Sequence, residues 1–183
     1  AAEQIDLVDG KIIGLFEPIY MAGYVPVSWR RAQGVDVSDS RYTDGTIQAY
    51  LDRLASAEPE PGGGSVSALV GALGAALVTM VTDLTLGKEK FAEVQEDMAG
   101  LRSQAEQLRA ELQELVTEDA RAYAAVAAAM KLPKDTDEQK KQREQTLQSA
   151  LRGAAEVPLR VAEGALAVAK LSLPAGEMGN PHA

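Results

Sequence analysis

Between Phe91 and Val126, apolar residues recur in alternating steps of three and four without a miss: Phe91, Val94, Met98, Leu101, Ala105, Leu108, Leu112, Leu115, then Asp119, Ala122 and Val126. That rhythm is the seam of a long helix laid against other helices. It predicts a helix over residues 89–132, bent at Gly100 and stopped by Pro133. Ten of the eleven seam positions are apolar and the eleventh is Asp119. A carboxylate on such a seam has to be paired, be protonated or border a cavity, because burying it bare is costly. Asp119 is therefore the sharpest candidate for chemistry. The plainer reading is a salt bridge across the bundle, or a seam that turns outward beside Glu118 and Arg121.

The segments on either side are also helical. Asp135-Thr136-Asp137-Glu138 offers a cap with a reciprocal acid to a last helix. Its rhythm runs through Leu147, Leu151, Ala154, Pro158, Val161, Ala165 and Val168, with a kink expected at Pro158 and an end before Pro174. Upstream, residues 47–55 place Ile47, Tyr50, Leu51 and Leu54 on one face of a short helix. The break follows at Glu58-Pro59-Glu60-Pro61-Gly62-Gly63-Gly64-Ser65, after which Ser65 is the expected N-cap of a helix over residues 66–86 that ends at Gly87. This helix is apolar nearly all round, so a central, buried place is expected for it. Its strongest apolar run, residues 66–81, is shorter than the roughly 20 residues a bilayer needs. The fold class is thus all-α, a bundle of long antiparallel helices over residues 42–183.

Residues 1–41 differ in character and are set apart as an N-terminal extension of unknown role. Five of the eight aromatic residues lie in the first 42 positions, and two apolar runs flank Asp9-Gly10, a dipeptide suited to a tight hairpin turn, so this extension has room for a β-hairpin. The start carries acids where a secretory signal would carry bases. The chain has no cysteine, which leaves no thiolate chemistry and no disulfide framework and makes the cytoplasm the expected compartment. Its 27 acids against 18 bases give a net charge of −9, which argues against a nucleic-acid partner; no membrane partner is expected either.

Other candidates rank below Asp119. The turn Pro61-Gly62-Gly63-Gly64-Ser65 opens a helix and can offer consecutive amides to a carboxylate, phosphate or carbonyl, or simply let backbone pass closely under a neighbour. It is no mononucleotide loop, since Ser65 is followed by Val66 and no lysine precedes it. Lys88, in Gly87-Lys88-Glu89-Lys90, would complement a helix dipole or meet an anionic ligand. The run Lys140-Lys141-Gln142-Arg143 reads as a wet helix face, and His182 stands alone near the end of the chain. No metal-ligand spacing is found.

Six motifs in order, Pro59-Glu60-Pro61-Gly62-Gly63-Gly64-Ser65-Val66, Leu84-Thr85-Leu86-Gly87-Lys88, Asp119-Ala120-Arg121-Ala122-Tyr123, Lys131-Leu132-Pro133-Lys134, Glu156-Val157-Pro158-Leu159 and Gly179-Asn180, resemble the cyclodeaminase/cyclohydrolase family over about residues 42–183. The resemblance implies an all-α homodimer acting on the C–N bond of 5-formimino- or 5,10-methenyl-tetrahydrofolate. No cofactor is implied beyond that tetrahydrofolate substrate. It puts the catalytic aspartate, as general acid/base, on Asp119, and substrate-binding roles on Pro61, Gly62, Gly63, Gly64, Ser65, Lys88 and Asn180. Where the family often carries a second aspartate this chain has Thr117, and the family's helices beyond the Gly-Asn motif are not found. The alternative is a non-catalytic helical folate-binding or assembly module.

Overall fold

The computed structural model describes residues 41–183, which form a unit of their own. The hairpin expected about Asp9-Gly10 lies outside the described residues.

The unit is all-α, as expected. A 3-10 turn, Tyr42–Asp44, leads to α1 (Ile47–Leu54), whose N-cap Thr46 accepts the Ala49 N–H at 3.1 Å. Then come α2 (Gly63–Asp83), a 3-10 turn at Glu89–Val94, α3 (Gln95–Met130) and α4 (Asp137–Met178). The cap of α4 is Thr136, but the residue that reaches back to it is Gln139, not an acid.

The long helices pack pairwise along a fixed register. Gly64 faces Asp119, Gly71 faces Leu112, Thr79 bonds Glu106 and Asp83 bonds Arg102, so α2 and α3 run antiparallel, with one heptad separating the first two pairs on both helices. Helix α4 runs antiparallel to α3, with Glu118 opposite Arg160 and Leu112 opposite Gly164. Leu112 is wholly buried, and its methyls lie 3.2 Å from where a Cβ on Gly71 would sit and 3.0 Å from one on Gly164. Glycine at both places lets three backbones close on one leucine.

Most of the predicted α3 seam is inside: Met98, Leu101, Ala105, Leu112, Leu115 and Val126 are buried. The bend is at Phe91, whose φ of −114° and ψ of 28° are non-helical, rather than at Gly100, which lies within α3. The first turn of the predicted helix is used up in a tighter turn, pinned where Gln95 accepts the Gly87 N–H at 2.8 Å and donates to the Phe91 carbonyl at 2.8 Å.

Three other expectations are corrected. The seam of α4 runs through Val157, Val161, Val168 and Ala175, leaving Pro158 and Leu151 exposed. A proline without an N–H is tolerated best where water can reach the carbonyl it orphans. The helix also passes Pro174 to Met178, because its end is held by packing: the Gly179 N–H bonds the Ala175 carbonyl at 3.0 Å, and Gly179 sits so close to Val81 that a Cβ would lie 2.7 Å from its methyl. Tertiary contact outweighs the lost bond. On α1, Tyr50 is buried and Leu54 half-buried, while Ile47 and Leu51 are exposed.

Helix α2 ends at Asp83, short of Gly87, which instead turns the following loop with φ of +73°. It is not buried all round. Ala68, Ala72, Ala75, Val78, Thr79 and Thr82 face inward, whereas Val70, Leu73, Leu77, Met80 and Leu84 form an exposed stripe. By length and composition its 21 residues could cross a membrane; its small-residue face is instead occupied by α3 and α4.

Candidate functional site

The first turn of α2 exposes backbone N–H groups that have no partner within the helix. Its N-cap is Gly62, not Ser65, and Gly62 has no side chain with which to cap. Asp119 supplies what is missing: its Oδ2 accepts the Ser65 N–H at 2.9 Å. Ser65 thus lies inside the first turn, and the cap comes from another helix fifty-four residues away. A carboxylate at this position also meets the positive end of the helix dipole.

Asp119 reaches that amide only because Gly64 is glycine. A Cβ there would collide with Asp119 Oδ1 and lie 2.6 Å from its carboxyl carbon. Asp119 follows Leu112 by one heptad, as Gly64 precedes Gly71 by seven, so the carboxylate takes the seat that the leucine takes one step along. Beside it, Glu118 makes an ion pair across the bundle with Arg160 at 2.7 Å.

Tyrosines close the site on one side. Tyr50 of α1 shares a hydrogen bond with the buried Ser65 hydroxyl at 3.0 Å. Burial pushes the Tyr50 phenol up from its ordinary value, with the charge of Asp119 adding to the shift and the bond to Ser65 opposing it. Tyr42 stands edge-on to Tyr50, ring centres 6.0 Å apart, and its N–H donates to the Thr117 hydroxyl at 3.0 Å. The Tyr42 hydroxyl donates to Glu60 at 3.1 Å, and Arg53 lies over its ring while donating to the Glu60 carbonyl at 3.0 Å. Burial, opposed by Arg53 and helped by Glu60, pushes Tyr42 up to about 12. Thr117 is buried and serves as an acceptor.

The expected substrate-binding residues fall into two groups. Pro61, Gly62, Gly63, Gly64 and Ser65 lie at the N-terminal end of α2 with Asp119. Asn180 lies at the other end, its N–H donating to Thr85 at 2.9 Å and its side-chain amide to the Leu84 carbonyl at 3.3 Å, and Lys88 is exposed on the loop beside it. A 21-residue helix is about 30 Å long, so within one chain Lys88 and Asn180 are not brought to Asp119. Tyr42, Tyr50, Thr117 and Glu60 were missed from sequence; the signal available was the clustering of Tyr42 and Tyr50 just before the glycine turn. Among the described residues no cluster of His, Cys, Asp and Glu suits a metal.

Residues 46–183 match the formiminotransferase-cyclodeaminase family. The chain is 44% identical over 135 residues to a methenyltetrahydrofolate cyclohydrolase of Methylorubrum extorquens, covering 74% of this chain and 65% of that protein. It is 42% identical over 120 residues to a formimidoyltransferase-cyclodeaminase of Rattus norvegicus, covering 66% of this chain and 22% of that one. A crystal structure of formiminotetrahydrofolate cyclodeaminase from Thermotoga maritima is similar with a TM-score of 0.66 and 29% identity, over 76% of this chain and 66% of that one. The chain therefore spans less than two thirds of the length of these relatives. By the family match over residues 46–183, it belongs to the formiminotransferase-cyclodeaminase family.

Proposed function

We propose that this chain carries the catalytic part of a folate one-carbon enzyme, acting on the C–N bond of 5-formimino- or 5,10-methenyl-tetrahydrofolate, with Asp119 as general acid/base. The observation that carries the reading is Asp119 held against the glycine turn that opens α2. One oxygen, Oδ2, is fixed by the Ser65 amide, and the other stands over Gly64, where no side chain intervenes. A carboxylate so fixed suits a cationic one-carbon unit and a proton that must change atoms.

In hydrolysis, water adds to the methenyl carbon and Asp119 takes one of its protons. That proton passes to N5 as the carbon–N5 bond breaks, the hydroxyl proton leaves to solvent, and 10-formyltetrahydrofolate results. In deamination, N10 attacks the formimino carbon, its proton passes through Asp119 to the departing nitrogen, and a second proton from solvent completes ammonia. The methenyl compound remains. Neither reaction calls for a cofactor beyond the folate, and a cytoplasmic setting fits a chain without cysteine.

The partner we propose is a second copy of the chain. The exposed stripe Val70, Leu73, Leu77, Met80 and Leu84 supports this, since contiguous apolar faces of this kind mark protein contacts. The test of the activity follows absorbance with purified protein near neutral pH. Enzyme-dependent loss of the methenyl chromophore identifies a cyclohydrolase, and its appearance from the formimino compound identifies a cyclodeaminase. No rate above the blank from either compound leaves a non-catalytic helical module.

A further inference from the structure

Helix α1 touches the site without belonging to it. Along its length Ile47 is 78% exposed and Leu51 50%, yet Tyr50 is 7% exposed and ends on Ser65. Ser65 is wholly buried, and Asp119 accepts its amide hydrogen. The turn just before α1 makes the matching attachment: the Tyr42 N–H is bound to Thr117, two residues before Asp119 on α3. The two tyrosine rings rest on one another edge to face. One short segment therefore straps the opening turn of α2 to the turn of α3 that carries Asp119.

The position of the Ser65 amide is the sensitive quantity. Gly62, Gly63 and Gly64 precede it, and three successive glycines give the backbone wide freedom. Nothing lies within 4 Å of where a Cβ on Gly62 or Gly63 would sit, so no neighbouring side chain presses on that stretch. The turn is held by the Val66 N–H on the Gly62 carbonyl at 3.1 Å, the Ser67 hydroxyl on the Gly63 carbonyl at 2.8 Å and Asp119 on the Ser65 amide, and the Ser65 side chain ties it to α1 through the Tyr50 hydroxyl. Burial, and after it the charge of Asp119, disfavours ionisation of Tyr50, and either hydroxyl can donate in that bond.

We propose that Tyr50 is a positioning residue: its hydroxyl, through Ser65, holds the first turn of α2 where the Ser65 amide fixes Asp119 Oδ2 and leaves Oδ1 over Gly64. This rests on the catalytic reading of Asp119 for its effect on turnover, but not for its effect on the amide.

The test is Tyr50→Phe, which keeps the ring and removes only the hydroxyl, with Ser65→Ala as a second variant. Each is expected to lower kcat by about tenfold to a hundredfold, as small displacements of a reacting group do, with KM within about twofold. In an Asp119→Asn background, Tyr50→Phe should cause no further loss, because the group it positions is gone. Amide hydrogen exchange reads the same strap without turnover. Tyr50→Phe should speed exchange at Ser65 by about tenfold while Ala75, in the middle of α2, stays protected. Unchanged kcat or unchanged Ser65 protection in Tyr50→Phe overturns the proposal, as does an equal loss of residual activity in the Asp119→Asn background, which would mark a general packing effect. If the wild-type protein turns over neither folate yet Tyr50→Phe still loosens Ser65, the catalytic reading fails and the strap stands.

Discussion

Gly64 and Asp119 occupy one seat between them: the carboxylate stands where a side chain on the glycine would have to be. The same interlock occurs one heptad away, where Leu112 stands against Gly71. The bundle thus uses a single packing device twice, once to bury a leucine and once to present an acid at the opening turn of a helix.

Gly64→Ala should therefore act on Asp119 rather than on the core. Its methyl drives the carboxylate from the Ser65 amide, and turnover is expected to fall at least about 10²-fold. Loss of the cap should cost about 1 kcal/mol of stability. Steady-state kinetics and a thermal melt check the two together; an active variant would mean that Asp119 is free to work from another position.

Glycine-to-alanine changes elsewhere should divide by what the new methyl meets. Gly153 has nothing within 4 Å, so Gly153→Ala should stabilise by about 0.5–1 kcal/mol through the helix backbone alone. Gly164→Ala, whose Cβ would lie 3.0 Å from a Leu112 methyl, should destabilise by about 1–2 kcal/mol despite the same backbone gain. Urea unfolding of both variants measures the contrast.

Much of this was legible in the sequence, because a heptad seam reports on helix and partner at once. The spacing of Leu112 and Asp119 marked α3 and the one acid on its seam, and the three glycines marked a helix start. What was hidden depended on contacts between distant segments. Nothing local says that Ser65 lies inside the turn with its cap supplied by α3, or that α4 outruns Pro174 because Gly179 is wedged against Val81. The inward choice of Val157 over Pro158 differs by a single residue, a shift that a seam drawn by three-four counting absorbs without a mismatch.

Stability should depend on pH at both extremes. The Tyr42 phenol is pushed up from 10.0 to about 12, so the unfolded chain ionises first and stability falls as pH rises from about 10 toward 12. The Glu106 carboxyl, held by Arg109 and by Thr79, is lowered from 4.5 to about 2. Its contribution is present above about pH 4.5 and is lost as pH falls toward 2. Tyr42→Phe should flatten the alkaline limb and Glu106→Gln the acid limb of the unfolding free energy measured against pH.

The exposed face of α2 gives a prediction about assembly. Leu73→Glu with Leu77→Glu places two charges in the middle of the stripe that Val70 and Leu84 bound. Sedimentation should show a dimer for the wild-type chain and a monomer for the double variant, with helicity unchanged. An unaltered sedimentation coefficient would place any dimer contact elsewhere.

The most direct test of the central claim is Asp119→Asn, assayed by the methenyl chromophore beside the wild-type protein. Asparagine caps a helix about as well as aspartate, so the Ser65 amide keeps its acceptor and the melting temperature should stay within a few degrees. Only the charge and the proton-carrying capacity are lost. Turnover is expected to fall by roughly 10² to 10⁴. An Asp119→Asn variant that folds and turns over folate at the wild-type rate would contradict the account, and would leave Asp119 as the cap of α2 and nothing more.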